Sequence, residues 1–194
     1  MKVVVFNGSP RSDGNTSLCL NMVMDELKSA GIETEYIWMG MDKLQGCISC
    51  YQCAKNKDKK CGVKTDKLNE YLAKMIEADG IILGSPTYFA DMNARMKALI
   101  ERAGLVSKMN GELLKHKVGA SVVAVRRAGA THVFSSMNYF FLINQMFVVG
   151  SSYWNLGVNP YVSEPDRIME DEEGIATFQN LGKNMAYLLQ KLNT

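Results

Sequence analysis

The fold of this chain is decided by its first seventeen residues, MKVVVFN at Met1–Asn7 and GSPRSDGNTS at 8–17. The Val- and Phe-rich run has no alternating polar face, which is typical of a strand buried on both sides of a parallel sheet. A glycine ends the run, and capping side chains from Asn15 onward predict a helix that ends near Gly31. A buried strand joined to a helix by a short loop predicts the first half of a parallel βαβ unit.

The same order of strand, loop and helix recurs along the rest of the chain. Further strands are predicted at Glu33–Met39, Gly80–Leu83, Val118–Val125 and Val148–Trp154. Helices are predicted at Asp66–Ala78, Met92–Val106, His132–Phe147 and Gly174–Leu192, with a polar loop over Asn155–Glu173. Five strands with short connections predict an α/β fold with one doubly wound, five-stranded parallel sheet and helices on both faces. Ligands of such sheets bind beyond the carboxyl ends of the strands, so the loops after the first, third and fourth strands form the candidate site.

Two of the predicted helices differ in how much of their surface is apolar. The spacing over Met92–Val106 predicts that Leu99 faces the core and that Arg102 faces outward. The helix over His132–Phe147 is too apolar for one solvated face. We therefore expect it to pack against the sheet on one side and against a partner subunit on the other.

The composition is that of one soluble domain spanning 1–194, with a cysteine-containing insertion at about 40–64. Of the 194 residues 47% are hydrophobic, and 22 basic against 20 acidic residues give a net charge of +2. No overall field favours a polyanion, so we expect no nucleic-acid partner and no membrane partner. We find no secretory leader and no apolar run of roughly 18 residues, and therefore expect a cytoplasmic protein.

The first loop carries the features of a phosphate-binding turn. Its glycine permits a tight bend, its small hydroxyl residues offer hydrogen bonds, and the following helix directs N–H groups and a partial positive charge at it. It lacks both the G-x-G-x-x-G dinucleotide fingerprint and the G-K-[ST] of a nucleoside-triphosphate loop, so neither tightly held NAD nor ATP is favoured. The alternative is an ordinary strand-turn-helix capped by Ser and Asn.

Three segments resemble the flavodoxin-like NAD(P)H-dependent FMN reductase family. NGSPRSDGNTS, at 7–17, resembles the family's FMN phosphate loop, and LGSPTYFADMNARMKALIER, at 83–102, resembles its isoalloxazine-contacting turn and following helix. AVRRAGATH, at 124–132, lies where the family's third flavin loop lies. The resemblance runs in order from the first strand to about Trp154. It implies a flavodoxin-like sheet of strand order 2-1-3-4-5, one FMN per subunit, and a homodimer or homotetramer.

The resemblance also assigns site residues to this chain. It makes the phosphate and ribityl contacts Ser9, Arg11, Gly14, Asn15, Thr16 and Ser17. It makes the ring-holding residues Pro86, Thr87, Tyr88 and Phe89, and those facing the pyrimidine end Arg127, Ala128, Gly129 and Ala130. An arginine at that end would stabilise the negative charge of a reduced ring or bind the 2′-phosphate of NADPH. The sequence leaves open which of Arg126 and Arg127 points inward, because neighbours on an extended segment face opposite ways.

Four of the five cysteines crowd together as Cys47-x2-Cys50-x2-Cys53-x7-Cys61. Such crowding indicates a metal or redox site in a reducing compartment. The close triple spacing is typical of a thiolate-ligated [4Fe–4S] cluster and fits structural zinc less well. It resembles the compact cysteine motif of the iron–sulfur flavoproteins, a branch of the same family, which implies that these four cysteines are the cluster ligands. A cluster-free redox thiol, a zinc site and inert loop cysteines remain alternatives. Cys19 is predicted to be a core residue.

The expected function is that of an FMN-dependent oxidoreductase whose chemistry is carried by FMN rather than by a catalytic side chain. The resemblance implies that NAD(P)H or an electron carrier supplies the electrons and that a flavin, a quinone or another small acceptor receives them, with a [4Fe–4S] cluster as a one-electron relay. The alternatives are a flavodoxin-like electron carrier without a substrate of its own and a cysteine-based redox or metal sensor. The near-neutral charge favours the enzyme over a flavodoxin, which is usually strongly acidic.

Overall fold

The computed structural model of the chain describes residues 1–161 and 163–193, and its centre is one mainly parallel sheet. The strands are β1 (Lys2–Asn7), β2 (Glu33–Trp38), β3 (Gly80–Tyr88), β4 (Asp91–Met92), β5 (Val118–Val125), β6 (Phe147–Val148) and β7 (Leu156–Val158). The helices are α1 (Asn15–Ser29), α2 (Gln52–Asn56), α3 (Leu68–Glu77), α4 (Ala94–Met109), α5 (Ala130–Ile143) and α6 (Glu172–Leu192), and a 3₁₀ turn covers Pro165–Glu170.

The strands lie in the order β2-β1-β3-β5-β6, with the short β4 antiparallel to β3 and β7 parallel to β5. When β4 is left out of the count, this is the predicted order 2-1-3-4-5, and the doubly wound sheet is confirmed. The order reverses between β1 and β3, which pair in parallel from Val3 and Gly80 to Asn7 and Gly84. The loops after these two strands therefore leave the same edge of the sheet, which is where such folds bind their ligands.

The prediction of a single fifth strand over Val148–Trp154 is wrong. The chain pairs with β5 in two short pieces, β6 at the start of β5 and β7 at its end. Between them, Asn155 is buried and its side-chain amide donates a 3.0 Å hydrogen bond to the Ser121 carbonyl of β5. A Gly-Ser-Ser run at 150–152 has low strand propensity, which accounts for the interruption. The predicted polar loop over Asn155–Glu173 accordingly contains β7 and the 3₁₀ turn.

Helices cover both faces of the sheet, as predicted. Val3 and Val5 of β1 pack with α1 and α6, whereas Val4 and Phe6 pack with α3, α4 and α5. Cys19 is fully buried between α1 and β7, and its predicted place in the core is confirmed. Burial raises the pKa of the Cys19 thiol well above its ordinary value.

Candidate functional site

The loop after β1 is held in a fixed turn by short-range hydrogen bonds. The Ser9 amide donates to the Asn7 side-chain oxygen at 2.8 Å, and the Arg11 amide donates to the Ser9 hydroxyl at 3.2 Å. From β2, the Trp38 indole donates to the Ser9 carbonyl at 2.9 Å. Hydrogen bonds within the protein thus fix the backbone of this loop.

The loop delivers the chain to the N-terminus of α1. Gly14 is the N-cap residue, and no side chain among the described residues caps this helix end. Thr16 is buried in the first turn with 1% of its surface exposed. An uncapped helix N-terminus presents free N–H groups and a partial positive charge, the arrangement that binds phosphate.

The loop after β3 is tied directly to the first loop. Asn93 caps α4 by accepting a 3.0 Å hydrogen bond from the Met96 amide, and its side-chain amide donates to the Gly8 carbonyl. The Gly8 amide in turn donates to the Gly84 carbonyl at 2.8 Å. Because these bonds link the ends of β1 and β3, the two loops form one rigid rim.

The third loop approaches the second where both leave the sheet. Phe89 and Ala90 lie in the left-handed region with φ of 48° and 64°, and Gly129 has φ of +90°. A Cβ added to Gly129 would lie 2.7 Å from the Ala90 Cα atom. Only glycine at position 129 permits this close contact between the two loops.

The three loops enclose a cleft of about 150 Å³ at the carboxyl edge of the sheet. Its lining residues are Ser9, Arg11, Gly14, Asn15, Thr16, Pro86, Thr87, Tyr88, Ala124, Val125, Arg126 and Asn159. The cleft therefore brings together most of the predicted phosphate, ribityl and ring contacts. The predicted residues that do not line it are Ser17, Phe89, Arg127, Ala128, Gly129 and Ala130.

The residues outside the cleft have identifiable positions. The Ser17 hydroxyl lies 3.1 Å from the Tyr36 hydroxyl, behind the first loop. The Phe89 ring is fully exposed at the tip of the second loop. Both candidate arginines are exposed, and of the two only Arg126 lines the cleft.

Sequence reasoning missed Asn159, which follows β7. The Asn159 amide donates to the Val125 carbonyl at 2.9 Å, and its side-chain amide donates to Asn15 Oδ1 at 3.3 Å and to the Glu164 carbonyl at 2.8 Å. It thereby joins the edge of the sheet to the first loop. Its only sequence signal is the preceding Leu156–Val158, a run too short to predict as a strand.

The chemistry of the cleft fits a flavin mononucleotide. Thr87 Oγ1 is buried and has no hydrogen-bond partner among residues 1–161 and 163–193. A buried polar atom without a partner costs free energy unless a ligand completes its hydrogen bond. Backbone amides, hydroxyls and the Arg11 guanidinium at one end suit a phosphate, and the Pro86 and Tyr88 side chains at the other suit a flat amphipathic ring.

The four crowded cysteines line a second, smaller cavity of about 10 Å³ beside α4. Cys53 and Cys61 are buried, whereas Cys47 and Cys50 are exposed, and all four are free thiols. Burial raises the pKa of the Cys53 thiol. Two thiols are therefore held in the core, and the other two lie at the surface.

Side chains of α3 and α4 hold the backbone of this cysteine segment. Asn69 accepts from the Cys61 amide at 2.8 Å and donates to the Cys61 carbonyl at 3.1 Å. Asn110, at the end of α4, donates to the Cys53 carbonyl at 3.2 Å and accepts from the Lys59 amide at 2.9 Å. Although the segment is hydrophilic, its backbone is anchored at Cys53, Lys59 and Cys61.

The prediction that Arg102 faces outward is wrong, because this side chain is 1% exposed. Its guanidinium pairs with Asp66 and donates from Nε and Nη2 to Cys61 Sγ at 3.3 and 3.4 Å. Burial opposes ionisation of Asp66, but hydrogen bonds from Arg102 and two backbone amides hold the pKa of Asp66 below its ordinary value. Helical periodicity missed Arg102 because its charge is neutralised inside the fold rather than in solvent.

Two features are absent from the described ranges. In residues 1–161 and 163–193, no three or more His, Cys, Asp or Glu side chains are arranged to hold a single metal ion. A cubane cluster differs from a single ion because it holds its four thiolates apart around a cage, so four cysteines lining one cavity suit it by their chemistry. None of the helices in the same ranges combines the length and apolarity that crossing a bilayer requires.

Comparisons with known proteins agree with this geometry. The family model described as NADPH-dependent FMN reductase matches residues 1–159. An iron-sulfur flavoprotein of Methanocaldococcus jannaschii is 38% identical over 197 residues, which cover 98% of each chain.

Among solved structures, RosB with a bound 8-demethyl-8-formylriboflavin-5′-phosphate intermediate superposes with a TM-score of 0.78 at 19% identity, covering 100% of this chain and 80% of RosB. A flavodoxin from the domain Archaea superposes with a TM-score of 0.63 at 17% identity, covering 98% and 99% of the two chains. The flavodoxin-like fold is thereby confirmed.

Proposed function

Because the chain belongs to the NADPH-dependent FMN reductase family and is therefore an oxidoreductase, we propose that it binds FMN in the three-loop cleft and transfers electrons from NAD(P)H to a small acceptor. The observation that carries this proposal is the cleft itself. It joins an uncapped helix N-terminus to the Pro86 and Tyr88 side chains, and Thr87, whose hydroxyl has no partner among the described residues, lines it too. When bound, FMN supplies the redox chemistry, because its ring takes up a hydride and releases electrons singly or in pairs.

The phosphate end of the proposed site is the first loop with α1. The N–H groups of the first helical turn bind the phosphate together with the Thr16 hydroxyl and the Arg11 guanidinium. Ser9 and Asn15 are within the same lining and serve the ribityl chain. Asn159 orients Asn15 through its 3.3 Å hydrogen bond.

The ring end is formed by the second and third loops. Pro86 and Tyr88 hold the plane of the ring, and Thr87 completes its hydrogen bonding with an edge of the ring. Of the two arginines between which the sequence did not decide, Arg126 is proposed as the one at the pyrimidine end of the flavin. Its positive charge at the pyrimidine end favours the anionic reduced ring.

The cysteine cavity is proposed as a [4Fe–4S] site with Cys47, Cys50, Cys53 and Cys61 as ligands. The support is that all four line one cavity and that a full-length relative is named an iron-sulfur flavoprotein. Such a cluster carries one electron at a time. Cys61→Ala should abolish iron binding, whereas Cys19→Ala, which removes a core thiol outside the cavity, should leave iron content unchanged.

We further propose a homodimer or homotetramer that uses the outer face of α5. Tyr139, Leu142 and Ile143 are exposed there beside a groove of about 680 Å³ between α4 and α5. Apolar surface of this kind on a folded domain marks an interaction site. Light scattering of wild type and Ile143→Lys tests it, since the variant should shift toward the mass of one chain while Tyr187→Lys, on α6, should not.

Steady-state turnover tests the proposed activity. The protein reconstituted with FMN should oxidise NADPH or NADH when a quinone, free flavin or ferric salt is supplied. A protein that binds FMN but turns over neither nicotinamide with any of these acceptors would instead be a flavodoxin-like carrier. A protein that binds no FMN would contradict the flavin site.

A further inference from the structure

We propose that Arg102 is a positioning residue for the cluster: it holds the Cys61 sulfur toward the shared cavity and places a positive charge against the bound cluster, so that the cluster is more easily reduced. This inference rests on the proposed cluster function of the four cysteines. It adds a residue that is neither a ligand nor part of the flavin cleft.

The geometry of Arg102 is directed at one sulfur atom. Two N–H groups of the same guanidinium, on Nε and Nη2, donate to Cys61 Sγ at 3.3 and 3.4 Å. A lysine ammonium could not present two donors in this fixed planar fork. Arg102 itself lines the cavity, so its charge would face a cluster held by the four cysteines.

The guanidinium is held in this position from its other side. Asp66 accepts from Nη1 at 2.5 Å and from Nη2 at 3.1 Å, and the Gln45 and Val63 carbonyls accept at 3.1 and 3.3 Å. Asp66 is itself buried, with 6% of its side chain exposed. The two Asp66 oxygens and the two carbonyls together fix the guanidinium in the orientation in which it reaches Cys61.

A role confined to structure would require only part of this arrangement. Asp66 neutralises the charge, and the two carbonyls tie the cysteine segment to α4. The two bonds to Cys61 Sγ add nothing to that anchoring, because Asn69 already fixes the Cys61 backbone at both its amide and its carbonyl. The proposed cluster gives these two bonds a role, because they orient the sulfur that would bind its iron.

The electrostatic consequence has a definite sign. A thiolate-ligated cluster is anionic, and reduction adds one more negative charge to it. A buried cation acts through a low dielectric, and hydrogen bonds to ligand sulfurs tune the potential of a metal centre. Arg102 stabilises the reduced form more than the oxidised form, so its removal lowers the midpoint potential.

The test compares anaerobically purified wild type with Arg102→Lys, Arg102→Met and the double variant Arg102→Met/Asp66→Asn, which avoids an unpaired buried carboxylate. Arg95→Met is the matched control, because Arg95 is on the same helix but donates to the Asp42 carbonyl instead. Iron, acid-labile sulfide and FMN are counted per chain, and the cluster potential is measured by redox titration followed by electron paramagnetic resonance.

Wild type and Arg95→Met should carry four irons and share one potential. The Arg102→Met forms should either lose iron while retaining FMN or show at least a tenfold lower equilibrium constant for one-electron reduction, about 59 mV. Arg102→Lys keeps the charge but loses the planar fork, so its iron content and midpoint potential should lie between those of wild type and Arg102→Met. If the Arg102→Met forms do not fold, Arg102→Lys alone tests the inference. Unchanged iron and potential in Arg102→Lys and in every folded Arg102→Met form would overturn this inference alone. A wild type without iron would overturn the proposed cluster and this inference with it.

Discussion

The indole Nε1 of Trp38 donates a 2.9 Å hydrogen bond to the backbone carbonyl of Ser9. The contact joins the end of β2, at one edge of the sheet, to Ser9 in the first loop, which lines the cleft. Gly40 allows it, because any Cβ at that position would collide with the indole ring. The shape of the first loop therefore depends on a residue outside the loop.

Replacing Trp38 tests this dependence. Trp38→Phe keeps an aromatic ring but removes the donor, leaving the Ser9 carbonyl without that partner. A lost hydrogen bond at a partly exposed site costs about 0.5–1.5 kcal/mol, so FMN should bind roughly threefold to tenfold more weakly. Fluorescence titration of apoprotein with FMN measures the change. Trp154→Phe, outside the cleft, should bind FMN as wild type does, and equal affinities in all three proteins would contradict the account.

The first loop, with its proposed phosphate site, gives a second prediction. Thr16→Ala removes a hydroxyl and Arg11→Ala a cation from the proposed phosphate site, while the fold should persist. Hydrogen bonds to charged groups are worth about 1.5–3 kcal/mol, so each variant should weaken FMN binding by roughly tenfold or more. Ser29→Ala, at the far end of α1, controls for loss of a hydroxyl from the same helix. Unchanged FMN affinity in both loop variants would place the phosphate elsewhere.

The contact between the second and third loops gives a third prediction. Gly129→Ala forces a left-handed residue, at about 1–2 kcal/mol, and also pushes its Cβ into Ala90. Gly111 has φ of +86° but open space around it, so Gly111→Ala isolates the cost of the backbone. Urea unfolding should find Gly129→Ala the less stable of the two, and only Gly129→Ala should lose FMN affinity. Equal stability and equal affinity would mean that the contact between the loops does not shape the cleft.

The pH dependence of stability gives a fourth prediction. Hydrogen bonds from Lys2 and Lys74 hold the pKa of Glu35 below its ordinary value, and the Lys2 ammonium lies 2.7 Å from the carboxylate. A depressed carboxyl pKa stabilises the fold above the unfolded-state value of about 4.3 and ceases to do so as pH falls through the folded-state value. Glu35→Gln should therefore be less stable than wild type at neutral pH, by under about 1 kcal/mol because solvent screens the pair.

Urea unfolding at several pH values measures that difference. It should shrink as the pH falls below about 4 and also when salt is added at neutral pH. A difference that persists in acid would assign the effect to packing rather than to charge.

The sequence predicted the parts of the molecule that depend on local pattern. β1 and the first loop could be predicted because a buried apolar run is followed by glycine and helix-capping residues. Most of the residues that the family resemblance assigned to the site line the cleft. Three features could not be predicted from the sequence, because they depend on contacts between residues far apart in the chain. β7 is too short for periodicity to reveal, Asn159 gains its place only from that strand, and Arg102 is buried because Asp66, remote in sequence, neutralises it.

Which of Arg126 and Arg127 lines the cleft could not be predicted for a different reason. Both residues follow the end of β5, where alternation places neighbours on opposite sides and either register fits the sequence. The structure places Arg126 in the cleft. Arg126→Ala should accordingly lower the reduction potential of the bound flavin more than Arg127→Ala does.

Anaerobic mixing of the purified protein with NADPH or NADH tests whether the three-loop cleft holds an FMN that NAD(P)H reduces. We expect about one FMN per chain and a loss of the visible flavin absorbance on mixing, followed by its return when a quinone is added. A protein that takes up no FMN, or whose bound FMN keeps its absorbance with both nicotinamides, would contradict it.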